Sequence, residues 1–158
     1  MSRRTVNETF TLEIPDTFEA MSGDDLRKLS ENGGDSHGWG VRDRERHVIV
    51  TALWKRYPAL LAWLADLKSI ARRNEQLTRR AYEGNGYRSG GFFSIRAGEE
   101  KAEGFRYSFR AGDAVRSVDC CLIKDGRTVY AFLCAGPEET AEADRALFRE
   151  IMGSLEYA

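Results

Sequence analysis

Three cysteines and two histidines are the side chains of this 158-residue chain best suited to act as nucleophile, base or metal ligand. Cys121 or Cys134 could supply a thiolate, with His37 or His47 as the base that takes up its proton. That chemistry requires an accessible thiol beside an imidazole. The flanking residues instead alternate in a strand pattern that puts both cysteines in mid-strand, where a buried cysteine serves as a small apolar residue. With a polar turn centred near Arg44, His37 stands opposite about Thr51 and not opposite His47, so the two rings do not converge on a metal ion. The sequence holds no CxxC, HExxH, Ser-His-Asp or phosphate-loop pattern. These residues lead us to expect no catalytic residue, no metal and no cofactor.

The charged and glycine-rich segments have equally plain readings. Residues 83–91, Glu-Gly-Asn-Gly-Tyr-Arg-Ser-Gly-Gly, follow a helical pattern and precede a strand, the reverse of a phosphate cradle, which follows a strand and opens a helix. Lys68, Arg72, Arg73, Arg79 and Arg80 crowd the second half of a helix, where cations favour the negative end of its dipole. No aromatic residues interleave with them, and 24 basic against 25 acidic residues leave the chain at −1. Nucleic-acid binding is therefore not expected. Glu138, Glu139, Glu142 and Asp144 gather at a helix start, as the dipole prefers, and are not expected to form a catalytic carboxylate pair.

The elements that would position these residues can be read from periodicity. Phe10, Leu12 and Ile14 alternate with Thr11 and Glu13, a half-buried strand ended by Pro15. Phe18 and Met21 continue in a short extended piece. Ser22 with Asp25 opens a short helix that stops at Asn32-Gly33-Gly34. Strands follow at 38–41 and 47–54, the second apolar on both faces. Pro58 starts a helix to about Arg80 with Leu60, Trp63, Leu64, Leu67, Ile70 and Ala71 as a single stripe, mid-way along which Leu67 belongs to the core. Four strands come next, at 92–96, 105–109, 115–124 and 128–134. A closing helix has Ala143, Leu147, Ile151 and Leu155, with Phe148 flanking, as its core stripe.

With Asp125-Gly126 as a two-residue hairpin loop, Val118, Cys120 and Leu122 pair with Leu133, Ala131 and Val129 and form an apolar face that belongs to the core. The same register puts Cys121 and Cys134 on one face but four pairs apart, too far for a disulfide. That second face mixes Cys121, Ile123, Tyr130 and Phe132 with Ser117, Asp119 and Thr128. Either the C-terminal helix covers it, or it is an open face that docks another protein, with Tyr130 and Phe132 as anchors and Ile123 and Cys121 beside them.

Hairpin-linked strands with interspersed helices imply an α+β chain, an antiparallel sheet of about six to seven strands with helices packed on its faces, in one domain over residues 1–158. This order resembles the PsbP-like superfamily, which includes the Mog, DcrB and Eag-type relatives. The carriers are Phe10-Thr11-Leu12-Glu13-Ile14-Pro15 followed by Phe18, the hairpin around Asp125-Gly126, and Leu147 to Leu155. The resemblance spans Phe10 to Tyr157 and implies an α/β/α sandwich. It also implies a non-catalytic binding or accessory role, in the Eag type that of a chaperone for secretion effectors.

The expectation is thus a non-enzymatic protein-interaction module, an accessory factor or chaperone for a secreted or membrane-associated protein. The alternatives are a carrier of a small apolar ligand, lined by aromatics such as Trp39, Trp54, Phe105, Tyr107 and Phe109, and a cysteine-dependent enzyme. The partner would be another protein, a second copy in a homodimer included. The longest apolar-rich stretch, 59–67, is far short of the ~20 residues that span a bilayer, so no membrane insertion is expected. No leader-like apolar run follows Arg3-Arg4, and the odd cysteine count suits a reducing, cytoplasmic setting.

Overall fold

The computed structural model describes the backbone of residues 1–33 and 37–158, and the side chains outside 29–37. The stop at Gly34 and the ring of His37 lie outside these described residues. The strands are β1 (Ser2–Val6), β2 (Phe10–Ile14), β3 (Glu19–Ala20), β4 (His37–Asp43), β5 (Val48–Arg56), β6 (Arg88–Ala97), β7 (Glu100–Ala111), β8 (Ala114–Asp125), β9 (Thr128–Pro137) and β10 (Glu156–Tyr157). The helices are α1 (Gly23–Gly33), α2 (Ala59–Leu64), α3 (Leu67–Ala81) and α4 (Ala141–Gly153). Seven strands form an antiparallel sheet in the order β3-β4-β5-β9-β8-β7-β6, and β1-β2-β10 form a second, three-stranded sheet. This is the expected α+β architecture with a predominantly antiparallel sheet.

The main sheet has an apolar cluster on each face. On one face Val50, Ala52, Cys121, Ile123, Tyr130 and Phe132 meet Phe10, Leu12 and Ile14 of β2 and Phe148, Ile151 and Met152 of α4. On the other, Phe105, Tyr107, Val118, Cys120, Leu122 and Val129 meet Ile70 and Ala71 of α3. Gly104 of β7 pairs with Cys121 of β8, and a side chain there would run into the Cys120 carbonyl and the Phe93 ring.

Several expectations change in detail. The helix after Pro58 is two helices. The chain is extended at Ala65 and restarts at Asp66, whose carboxylate accepts a hydrogen bond from the Ser69 amide at 2.7 Å and caps α3. Leu67 therefore begins a helix instead of sitting mid-stripe, and it is only partly buried. Of the expected α4 stripe, Ile151 and Leu155 are buried and Leu147 packs on the core, while Ala143 is exposed; Phe148, Met152 and Asp144 complete the buried side. Asp144 is buried and accepts a hydrogen bond from the Thr140 hydroxyl at 2.8 Å. In the β4–β5 hairpin Asp43 pairs with Val48, so the backbone of His37 lies opposite Trp54 and not Thr51. His47 is exposed in this turn. The β8–β9 hairpin pairs Asp125 with Thr128, so its loop is Gly126-Arg127 and the register differs by two from the expected one. Cys134 then faces Asp119, two positions from Cys121, and all three cysteines are free and buried.

Candidate functional site

Cys121, Ile123, Tyr130 and Phe132, named as the contacts of an open docking face, are no more than 1% exposed, as the covered alternative requires. Both α4 and the β1–β2 hairpin lie over them. The Tyr130 hydroxyl accepts a hydrogen bond from the Asn7 amide at 2.8 Å and donates to the Thr9 hydroxyl at 3.1 Å. The Phe10 ring stands edge-on to Tyr130, with centroids 5.0 Å apart. These four residues are core, and the docking face expected there does not exist: the edge-to-face aromatic packing and satisfied hydroxyl consume the surface a partner would need.

The more open side of the sheet is the one expected to be core. α3 packs mainly on β7 and β8 and covers the β5–β9 part of the sheet incompletely. Leu53, Ala131, Leu133 and Ala135 are consequently only half-buried. Between them and α3 runs a groove of about 420 Å³ whose floor includes Leu122, Val129, Ala131 and Leu133. Leu77 and Arg73 of α3 form one wall, and Lys55 and Tyr57 contribute to the other end. No carboxylate is among its lining residues, so its charge is positive.

The α3 wall is held from behind. Glu75 is buried and accepts hydrogen bonds from the Tyr87 hydroxyl at 2.9 Å and from Arg79 at 2.8 Å. Burial, with the Glu75 carboxylate second, raises the Tyr87 hydroxyl well above the ordinary tyrosine value. Tyr82 stacks on Phe109 with centroids 4.2 Å apart, and Tyr87 and Phe105 both stack on Tyr107. This aromatic ladder fixes the position of α3 over the sheet, and thereby the width of the groove.

Between Tyr57 and α3 in the chain lies α2, which is wholly apolar. Only Ala62 is buried; Leu60, Leu61, Trp63 and Leu64 are exposed, Trp63 to 80%. Lys124 holds the helix down from below, donating to the carbonyls of Ala62 and Ala65 at its C-terminal end. Sequence periodicity puts Leu60, Trp63 and Leu64 in the packing stripe, because it runs α2 and α3 together.

A second concavity, of about 500 Å³, is polar and lined by charges of both signs, among them Arg88, Arg106 and Arg145 and Glu138, Glu139 and Glu142. Arg106 is committed to Asp119 through two hydrogen bonds of 2.8 and 3.0 Å. Among the described residues no group of three or more His, Cys, Asp or Glu side chains is arranged to hold a metal ion. The thiols are suppressed as nucleophiles. Burial, followed by nearby carboxylates, pushes Cys121 and Cys134 up to about 12, and burial raises Cys120 as well.

No protein-family model matches the sequence. Comparison with curated proteins finds no match either. Solved structures do match. Cyanobacterial PsbP (CyanoP) from Synechocystis is 14% identical, with a TM-score of 0.72 over 99% of this chain and 92% of that one. LpqN, involved in cell envelope biogenesis of Mycobacterium tuberculosis, is 11% identical, with a TM-score of 0.63 over 94% of this chain and 83% of that one. At these identities the likeness is one of backbone path and layer order. The chain therefore has the PsbP-like fold.

Proposed function

We propose that this chain is a non-catalytic interaction module whose groove takes up an apolar segment of another protein, as an accessory factor or chaperone does. The observation that carries this reading is the incompletely covered face between α3 and β5–β9, an apolar floor with an accessible mouth. The charge of its rim defines the segment further. Lys55 and Arg73 border the groove without a carboxylate among the lining residues, which suits an apolar segment that ends in acidic residues. The raised thiols favour a role without cysteine catalysis, and three free cysteines suit a reducing compartment.

The test uses a fluorescently labelled leucine-rich peptide that ends in two glutamates, with binding followed by anisotropy. Leu77→Asp and Arg73→Glu change exposed positions on the groove wall and leave the fold intact. Each is expected to weaken peptide binding by at least about tenfold, the effect of losing roughly 1.4 kcal/mol. Binding that is indifferent to both changes overturns the reading.

One observation favours a second reading. A volume of about 420 Å³ falls within the range of small-molecule sites, so an apolar carrier would use the same groove. Native mass spectrometry separates the two: a co-purifying small mass that Leu77→Asp displaces favours the carrier.

A further inference from the structure

We propose that α2 is a foot that rests on an anionic lipid surface, inserting into the headgroup region without crossing the bilayer. Its six residues carry no charge, and the four large exposed ones, Leu60, Leu61, Trp63 and Leu64, lie on the side away from the buried Ala62. On a helical wheel they occupy an arc of about 160°. The arc is convex. A bilayer interface admits such a knob without a matching pocket, whereas a protein would need a deep apolar socket. Tryptophan, here 80% exposed, is the residue most at home at the level of the lipid headgroups.

The charges around α2 match anionic headgroups. From Lys55 to Arg73 the sequence has five cations, Lys55, Arg56, Lys68, Arg72 and Arg73, and one carboxylate, Asp66, a local charge of +4 in a chain of −1 overall. All five cations are exposed. Among the described residues none of them is in an ion pair, while Asp66 is occupied by capping the Ser69 amide. Arg127, also exposed, sits at the start of α2, donating to the Tyr57 carbonyl at 3.0 Å. An exposed apolar wedge with exposed cations before and after it in the chain is the pattern of a peripheral membrane contact. Among the described residues no helix is long and apolar enough to cross a membrane, so α2 lies on the surface. Lys124 fixes it in place, so little ordering is needed on contact.

Vesicle co-sedimentation tests this with the whole chain. Vesicles of phosphatidylcholine alone are compared with vesicles of phosphatidylcholine and phosphatidylglycerol in a three-to-one ratio. The protein is expected to partition onto the anionic vesicles, with a blue shift of tryptophan emission that is lost in Trp63→Phe. Replacing Lys68 and Arg72 by Gln should lower partitioning about thirtyfold, from the contribution of each cation near a charged bilayer. Trp63→Ala combined with Leu64→Ala should lower it by at least about tenfold, through lost apolar insertion. Both pairs are exposed, so folding is preserved. Leu77→Asp, in the groove wall, should leave partitioning unchanged, so failure of the groove reading and failure of this one are distinguishable. Absence of partitioning onto anionic vesicles overturns the proposal. So does partitioning that ignores the α2 changes. A concentration-dependent dimer that dissociates in the Trp63→Ala, Leu64→Ala variant, without vesicle binding, assigns α2 to a second copy instead and equally overturns it.

Discussion

Phe132→Ala is the perturbation that best separates the two faces of the main sheet. The Phe132 side chain is fully buried, its ring 6.3 Å from that of Phe10 and 6.2 Å from that of Tyr130. Its strand neighbours are Ala52 of β5 and Cys121 of β8, both small and both pinned in sheet hydrogen bonding. They cannot move in to fill the space a phenyl ring leaves, so the cavity persists. A Phe→Ala change in such a site costs about 3–5 kcal/mol. For a domain of this length each kcal/mol lowers Tm by about 2–4 °C, so the expected drop is about 6–20 °C. The comparison is Leu77→Ala on the groove side. Leu77 is 54% exposed, and its loss should stay within about 0.5 kcal/mol. Urea unfolding followed by circular dichroism measures both. A Phe132→Ala protein as stable as the parent would refute the burial argument and return Tyr130 and Phe132 to candidacy as a docking face.

Two more outcomes follow from packing and burial. Gly104→Ala should destabilise by about 1–3 kcal/mol, since its methyl group meets a backbone carbonyl that the β7–β8 ladder holds in place; a thermal shift below one degree would contradict the close approach of the two strands. Stability should decline as pH rises from 9 towards 12, because the unfolded chain's thiols ionise near the ordinary value of 9.0 while burial holds those of folded Cys121 and Cys134 at about 12. A raised folded value means that this stability is fully present below pH 9 and is lost on the way to 12. Urea midpoints across that range measure it, and the Cys121→Ala, Cys134→Ala variant should show a shallower decline; an identical decline would show that the thiols do not contribute.

Alternation made the strands readable, and it failed where alternation is silent. The β8–β9 faces sort correctly in either of two registers, because a slip of two residues keeps every side chain on its side of the sheet. The sequence reading takes Asp125-Gly126 as the two-residue loop, but the loop is Gly126-Arg127, in which Gly126 is left-handed, with φ 58°, and Arg127 is not. That is the turn with glycine first, and it moves the loop along by one residue. β1 carries no alternating apolar signal, since Ser2-Arg3-Arg4-Thr5-Val6 is an edge strand with only one buried residue. With α4 its hairpin covers Tyr130 and Phe132, which decides between the two alternatives for that face in favour of the covered one. The break at Ala65 was hidden because leucine and tryptophan fall at helical spacing on both sides of it. The sign available in the sequence was Asp66 three residues before Ser69, an ordinary cap within what looked like an uninterrupted stripe.

The small sheet ties together distant parts of the chain. β2 is flanked by β1 on one side and by β10 on the other, and the Ala158 amide donates to the Thr9 carbonyl at 2.8 Å. During synthesis the β1–β2 hairpin is made first, yet the strands it covers, β8 and β9, emerge more than a hundred residues later, and β10 later still. Until then Phe10, Leu12 and Ile14 lack Cys121, Ile123, Tyr130 and Phe132 as packing partners, and afterwards Ile123, Tyr130 and Phe132 wait for α4. Such non-local closure makes folding slow and leaves apolar surface exposed to neighbours in the meantime. A circular permutation that starts the chain at Gly126 would bring β9, α4 and β10 ahead of β1 in the order of emergence. The cover and one of the strands it protects would then be made in close succession, and the permuted chain should refold faster and with less aggregation than the natural order allows.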